Sequence, residues 1–233
     1  MSDTWKETWT FIAFASLLSD AIAFDIQAQT GESQDFPTVN RYAKASFINA
    51  AFSIESAANA CIARLQYPQI AIDQIDRATV IDKFDILYQV NSGKKVDRGS
   101  KPFQCVREII GLRNGYVHPK LDKVQLNISQ AEDKDRTYER PEEHTKETQF
   151  LNIPRKFDIW TGKESRVVVK ETISFLNHFF IELCSLTPKE CSVLLAIYTK
   201  GPNHTATFLA KHERELFEKA QEEYKMEIKF LVF

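Results

Sequence analysis

Residues 103–120 read FQCVREIIGLRNGYVHPK, and their spacing is that of an amphipathic helix. The helix carries two neighbouring apolar stripes. They consist of Phe103, Val106, Ile110 and Val117, and of Cys105, Ile109, Leu112 and Tyr116. Arg113 falls between the two stripes, so its guanidinium projects from the middle of an apolar face. Because burial of an unpaired charge is costly, Arg113 requires an acceptor, a solvent-filled cleft or an anionic ligand.

The end of this helix decides where a nearby histidine points. His118 follows Arg113 by five residues, and on an unbroken helix the two side chains would diverge by about 140°. Gly115 and Pro119 predict that the helix ends between them, which places His118 on a turn. From that turn the imidazole can face the same cleft as the guanidinium, with Asn114 beside them.

Arg113, Asn114 and His118 form the pattern R-N-x-x-x-H, and the chain resembles the HEPN superfamily of helical domains over about residues 3–185. Many members of that superfamily are metal-independent ribonucleases. The resemblance implies an all-α bundle of four to five helices and RNA cleavage that leaves a 2′,3′-cyclic phosphate. It implies cleavage without a metal. The chain contains no G-x-x-x-x-G-K-S/T, G-x-G-x-x-G or H-E-x-x-H motif, so no cofactor is assigned. The resemblance also implies a role in toxin–antitoxin systems or antiviral defence, with an antitoxin or regulatory protein as partner.

RNA cleavage of this kind requires few functional groups from the protein. RNA supplies its own nucleophile, the 2′-hydroxyl, so the enzyme needs proton transfer and cationic stabilisation of the phosphoryl transition state. Histidine suits proton transfer because it changes charge near neutral pH, and arginine offers a planar fork of donors for phosphate. We therefore assign proton transfer to His118, phosphate contact to Arg113 and hydrogen-bonding orientation to Asn114.

Further residues are candidates to orient these groups or to bind substrate. Glu55 and Asn59 lie four residues apart, on one face of the second predicted helix, where many HEPN domains place polar residues opposite the motif. A solvent-facing or capping pair is the alternative. Tyr116 and Lys120 flank His118 and complete the predicted set.

Charge is distributed unevenly along the chain. The net charge of −2 does not indicate a nucleic-acid binder. Residues 94–123, however, contain eight Lys or Arg against three acidic residues, a local balance of +5 around the motif. This basic segment either attracts a phosphate backbone or forms a solvated rim.

The remaining apolar periodicity predicts the domain organisation. Further helices are expected over residues 3–28, 39–65, 69–90, 164–186 and 204–224, and another begins at a capping box formed by Thr187, Pro188 and Glu190. We predict a helical domain over residues 1–186 and a helical extension over residues 187–233 that packs on the bundle or on a partner. An insertion at about residues 121–162 is either irregular or a small β-hairpin, with Phe150–Ile153 as a partner strand.

The first helix is apolar around most of its circumference, which predicts a second buried side in a two-fold homodimer, with Phe14 among the outward residues. The chain shows no signal peptide or membrane span, and its four cysteines lack metal-ligand spacing. A cytoplasmic protein with free thiols is expected. Two functional classes remain open: an endoribonuclease, and a non-catalytic module for protein or RNA binding in which Arg113 pairs with Glu55.

Overall fold

The computed structural model describes the backbone of residues 8–30, 35–119, 127–130, 136–139, 146–200 and 205–233. This part of the chain is mainly helical, as predicted. Its helices are α1 (Phe14–Thr30), α2 (Phe36–Ile62), α3 (Gln69–Asp76), α4 (Val80–Ser92), α5 (Lys101–Val117), α6 (Gly162–Asn177), α7 (Pro188–Leu195) and α8 (Lys211–Glu222). A 3₁₀ turn at Phe157–Ile159 precedes α6, and a π-helical turn at His178–Leu183 follows it. Among these helices, none is long and apolar enough to cross a membrane.

Short strands join distant parts of the chain. Strands β1 (Thr8–Thr10), β4 (Ile197–Lys200) and β5 (Thr205–Phe208) form an antiparallel sheet in the order β1-β4-β5. Strands β2 (Asn127–Gln130) and β3 (Arg136–Glu139) pair with each other. The prediction that Phe150–Ile153 pairs with the first strand of the insertion was therefore wrong, because β2 pairs with β3. Phe150 and Leu151 lie in a turn that closes where Thr148 N–H donates to the Ile153 carbonyl at 2.9 Å.

Several predicted helix boundaries were also wrong. The first helix begins at Phe14, because Thr8–Thr10 pairs with β4 in the sheet. The third predicted helix is divided into α3 and α4, since the Thr79 side chain accepts a hydrogen bond from Asp82 N–H and begins a new helix there. The final helix begins at Lys211, because the residues before it form strand β5, which pairs with β4.

The core lies between α1, α2 and α6, and the C-terminal residues complete it. Phe14 is fully buried and packs edge-on against Phe230 at 5.9 Å between ring centroids. Phe217 of α8 is also fully buried. The apolar circumference of α1 is thus covered by the chain's own α2, α6 and α8, and the expectation that Phe14 faces outward was wrong.

A buried charge cluster fixes α1 against α6. Asp25 is fully buried and accepts hydrogen bonds from Ser165 Oγ at 2.8 Å and from Arg166 Nε. The Arg166 guanidinium also lies over the Tyr224 ring, 4.7 Å from its centroid. Burial raises the pKa of Asp25, and Arg166 and Ser165 oppose that rise. The acidic residue that interrupts the apolar pattern of α1 is therefore a structural link to α6.

Asp25→Asn should lower the free energy of unfolding by about 2–4 kcal/mol, because it leaves a largely buried guanidinium without its anion. Urea denaturation followed by circular dichroism measures the change. Asp20→Asn, at an exposed position on the same helix, is the matched control and should change stability by less than about 0.5 kcal/mol. Equal stability of the two variants would contradict the structural role of Asp25.

Candidate functional site

Helix α5 is held by its N-terminal half and projects its C-terminal turn into solvent. Phe103 and Ile109 are buried, and the Phe103 ring packs edge-on against Phe175 of α6 at 5.1 Å. Gly115 lies within the helix, which ends only at Val117. His118 then adopts an extended φ of −119°, and its N–H donates to the Asn114 carbonyl at 3.0 Å. The turn predicted before Pro119 is present. The helix ends at Val117, two residues after Gly115.

Arg113 is turned towards α2. Its Nη2 contacts the Glu55 carboxylate and its Nη1 donates to Asn114 Oδ1 at 3.0 Å. The guanidinium also lies 5.2 Å from the centroid of the Phe52 ring. The Arg113 side chain is 15% exposed and that of Glu55 is 32% exposed, so the pair is only partly shielded from water. Arg113 Nε is buried and has no hydrogen-bond partner among the described residues.

A groove of about 940 Å³ lies along the C-terminal half of α5, between this helix and residues 148–157. His118 and Asn114 line it, and His118 is exposed. Gly111 and Gly115 also line it, and a Cβ added to either would meet no described residue within 4 Å. Arg113 does not line the groove. The expectation that guanidinium and imidazole face one cleft therefore fails within a single chain, because Glu55 draws the guanidinium to the α2 side.

The other predicted residues lie in different surroundings. Asn59 was predicted to orient Arg113, and its Oδ1 accepts a hydrogen bond from Lys83 Nζ at 2.7 Å. Tyr116 is 39% exposed and packs edge-on against Phe157, which lines the groove, at 4.9 Å. Lys120 lies outside the described residues.

Three charged residues of the groove were not predicted as site residues. They are Glu108 on α5, and Arg155 and Lys156 in the loop before the 3₁₀ turn. Glu108 lies one helical turn before Gly111 and Leu112, so helical spacing from the motif could have found it. The position of Arg155 and Lys156 depends on how the loop folds back onto α5, and no local pattern reports such a long-range contact.

In the described part of the chain, no group of three or more His, Cys, Asp or Glu residues is placed to hold a metal ion. All four cysteines are free, and burial raises the pKa of Cys61, Cys105 and Cys191 to about 12. A thiol with such a pKa is protonated at neutral pH and is a poor nucleophile.

The chain matches no protein-family model, and comparisons with curated proteins and with solved structures find no match either.

Proposed function

We propose that this protein is a metal-independent endoribonuclease of the HEPN type, with Arg113, Asn114 and His118 as the motif that acts on RNA. The observation that carries the proposal is the position of Asn114. Its side chain accepts a hydrogen bond from the Arg113 guanidinium, its carbonyl accepts one from the His118 N–H, and it lines the groove together with His118. The contact between the Arg113 guanidinium and the Asn114 amide therefore adjoins a groove that Asn114 and His118 line.

The proposed reaction is a transphosphorylation within RNA. The 2′-oxygen attacks the adjacent phosphorus, the bond from phosphorus to the 5′-oxygen breaks, and the products are a 2′,3′-cyclic phosphate and a 5′-hydroxyl. One proton leaves the 2′-hydroxyl and one proton reaches the departing 5′-oxygen. His118 is exposed in the groove and can make one of these transfers. Arg113 and Asn114 supply donors for the phosphoryl oxygens.

Glu55 supports this role by fixing the direction of the guanidinium. Arginine has five N–H donors, and the contacts with Glu55 and Asn114 use two of them. The pair is partly open to water, so a phosphate can approach the remaining Nη donors while Glu55 keeps the side chain in place. We propose Glu55 as a positioning residue, whose effect on cleavage is exerted through Arg113.

We further propose that the active form is a two-fold homodimer. The reaction needs a proton acceptor and a proton donor, and among the described residues of the groove His118 is the only imidazole. Tyr116 and Val117, next to the motif, are 39% and 44% exposed, which leaves apolar surface at the end of α5. A symmetric contact through this surface supplies a second imidazole and brings the guanidinium side of one copy near the groove of the other.

A second candidate function is a non-catalytic module that binds protein or RNA. It is favoured by the partly shielded contact between Arg113 and Glu55, since such a pair can serve to hold α2 and α5 together. In that case His118 is an ordinary exposed residue. Within the first candidate, we propose a cytoplasmic toxin or antiviral effector that a cognate antitoxin or regulatory protein controls.

His118→Ala should lower cleavage of total RNA by about a hundredfold or more and change the free energy of unfolding by less than about 1 kcal/mol. The imidazole is exposed and in position for proton transfer, whereas its packing contribution is small. Gel analysis of purified protein and RNA measures cleavage, and His212→Ala, at an exposed site on α8, is the matched control. EDTA should leave the wild-type rate unchanged. Unaltered cleavage by His118→Ala would favour the binding module.

Arg113→Lys should fold and yet cleave about a hundredfold more slowly, because lysine keeps the charge and loses the planar fork that holds Glu55, Asn114 and phosphate together. Initial rates and thermal melting measure the two effects. Arg107→Lys, at an exposed position on the same helix, is the control and should cleave at the wild-type rate. Equal rates for the two variants would show that only a diffuse positive field is needed.

Light scattering at micromolar concentration should give twice the chain mass of 26.8 kDa. Val117→Asp should reduce this value to the chain mass and abolish cleavage, because it places a charge in the proposed symmetric contact. Val90→Asp, at a 47% exposed position on α4, is the matched control and should remain dimeric. A wild-type monomer that cleaves RNA at full rate would rule out a shared site.

A further inference from the structure

The groove beside the motif contains an aromatic side chain that is only half-buried. Phe157, in the 3₁₀ turn before α6, lines the groove together with His118 and Asn114. The exposed lining of the groove is more apolar than polar, and Gly111 and Leu112 of α5 contribute to it. Apolar surface next to the motif suits the flat face of a nucleobase better than it suits a phosphate group.

The Phe157 ring is held in place by its neighbours. It packs against the fully buried rings of Phe47 and Trp160, at 5.1 Å and 4.7 Å between centroids. Tyr116 of α5 packs edge-on against it at 4.9 Å. The buried Asn40 side chain also fixes the backbone, because it donates to the Phe157 carbonyl at 2.7 Å and to the Trp160 carbonyl at 2.8 Å. Little conformational freedom is therefore lost when a ligand stacks on this ring.

One carboxylate of α5 holds the loop that leads to this ring. Glu108 Oε1 accepts a hydrogen bond from Gln149 N–H at 2.8 Å. Its Oε2 accepts from Phe150 N–H at 3.0 Å and from Leu151 N–H at 2.9 Å. Three successive backbone amides on one carboxylate thus attach the loop to α5 shortly before Phe157. Glu108 also lines the groove, so this attachment lies at the groove itself.

We propose that Phe157 forms a nucleobase subsite, on which an unpaired base next to the scissile bond stacks, and that Glu108 is the positioning residue of this subsite. The inference rests on the proposed endoribonuclease function, to which it adds a specificity-determining residue. The motif acts on the phosphate and the 2′-hydroxyl, which are the same in every nucleotide of RNA and carry no information about the base. Phe157 selects nucleotides whose base is free to leave its stack.

The subsite is continuous with the proposed site of cleavage. The volume of the groove, about 940 Å³, lies at the upper end of the range for ligand pockets, about 300–1,000 Å³. A base can therefore enter together with its sugar and an adjacent phosphate. Because Asn114 and His118 line the same groove as Phe157, a nucleotide that stacks on the ring has its backbone on the side of the motif.

The test compares two oligonucleotides that differ in a single base. Both are about six positions long and consist of abasic spacers, and one of them carries a central 2-aminopurine nucleotide with a 2′-O-methyl group. Neither contains a 2′-hydroxyl, so binding is measured apart from cleavage. Fluorescence anisotropy of an end label should show that the wild type binds the base-bearing oligonucleotide about tenfold more tightly, as expected for one base stacked on an aromatic ring. The emission of 2-aminopurine should fall on binding, because stacking quenches it.

Phe157→Leu should bind both oligonucleotides with the affinity that the wild type has for the abasic one, whereas Phe157→Tyr keeps an aromatic ring and should keep the preference. The effect should be equal at low and high salt, because stacking releases no counterions. Phe24→Leu is the matched control, since Phe24 is also a half-buried ring, stacked on Tyr42 at 6.3 Å, and does not line the groove. A tenfold preference that persists in Phe157→Leu would overturn the subsite.

Glu108→Gln separates positioning from simple charge. Glutamine replaces one carboxylate oxygen by a donor, so it cannot satisfy all three backbone amides. The preference for the base should fall towards that of Phe157→Leu, while the affinity for the abasic oligonucleotide does not fall, because a negative charge has left the groove. Glu218→Gln, at an exposed position on α8, is the matched control. An unchanged base preference in Glu108→Gln would overturn the positioning role.

The two proposals fail separately. A wild type that cleaves RNA, and that binds the two oligonucleotides equally or binds neither, would overturn the subsite and leave the endoribonuclease intact. A base preference that is lost in Phe157→Leu, in a protein that does not cleave RNA, would support the subsite and overturn the endoribonuclease. Displacement of the base-bearing oligonucleotide by an equal concentration of adenosine monophosphate would assign the subsite to a free nucleotide and overturn the choice of RNA.

Discussion

A guanidinium that leaves an apolar helix face must meet an anion, and this requirement organises the region around the motif. Arg113 meets Glu55 of α2, and the same contact directs its Nη1 to Asn114. Asn114 also accepts the His118 N–H through its backbone carbonyl at the helix end, so the helix itself sets where His118 stands relative to this contact. The contact with Glu55 turns the guanidinium away from the groove, so that one chain offers two adjacent faces instead of a single cleft.

The two faces have different electrostatic character. On the α2 side, the positive charge of Arg113 is balanced by Glu55 in a partly shielded pair. On the groove side, the Glu108 carboxylate accepts hydrogen bonds from the backbone N–H groups of Gln149, Phe150 and Leu151. In both places a carboxylate holds backbone or side-chain donors in position. The two carboxylates therefore differ in their donors, which are a guanidinium on the α2 side and backbone amides on the groove side.

Local sequence patterns predicted the helical class and the motif helix. They failed where contacts between residues distant in the sequence determine the structure. The spacing of Phe103, Cys105, Val106 and Ile109 identified the buried half of α5, since helical periodicity is a local property. The strand at Thr8–Thr10 depends on a partner near residue 200, and the local pattern around it predicted a helix instead. Asn59 hydrogen-bonds to Lys83, which is distant from it in the sequence, and a local pattern does not report this contact. Glu55 was among the candidates because the family resemblance places polar residues of the second helix opposite the motif, and it contacts Arg113.

The contact between Phe14 and Phe230 has a consequence for how the chain reaches its native state. These residues are 216 positions apart, and the loop between them must be closed before their packing contributes. During synthesis, α1 leaves the ribosome long before α8 and the segment around Phe230, which cover its apolar surface. Until those residues are made, the part of the α1 surface that they cover, including the face of Phe14 that meets Phe230, lacks its native partner. Closure of this end of the core therefore waits for the C-terminal residues.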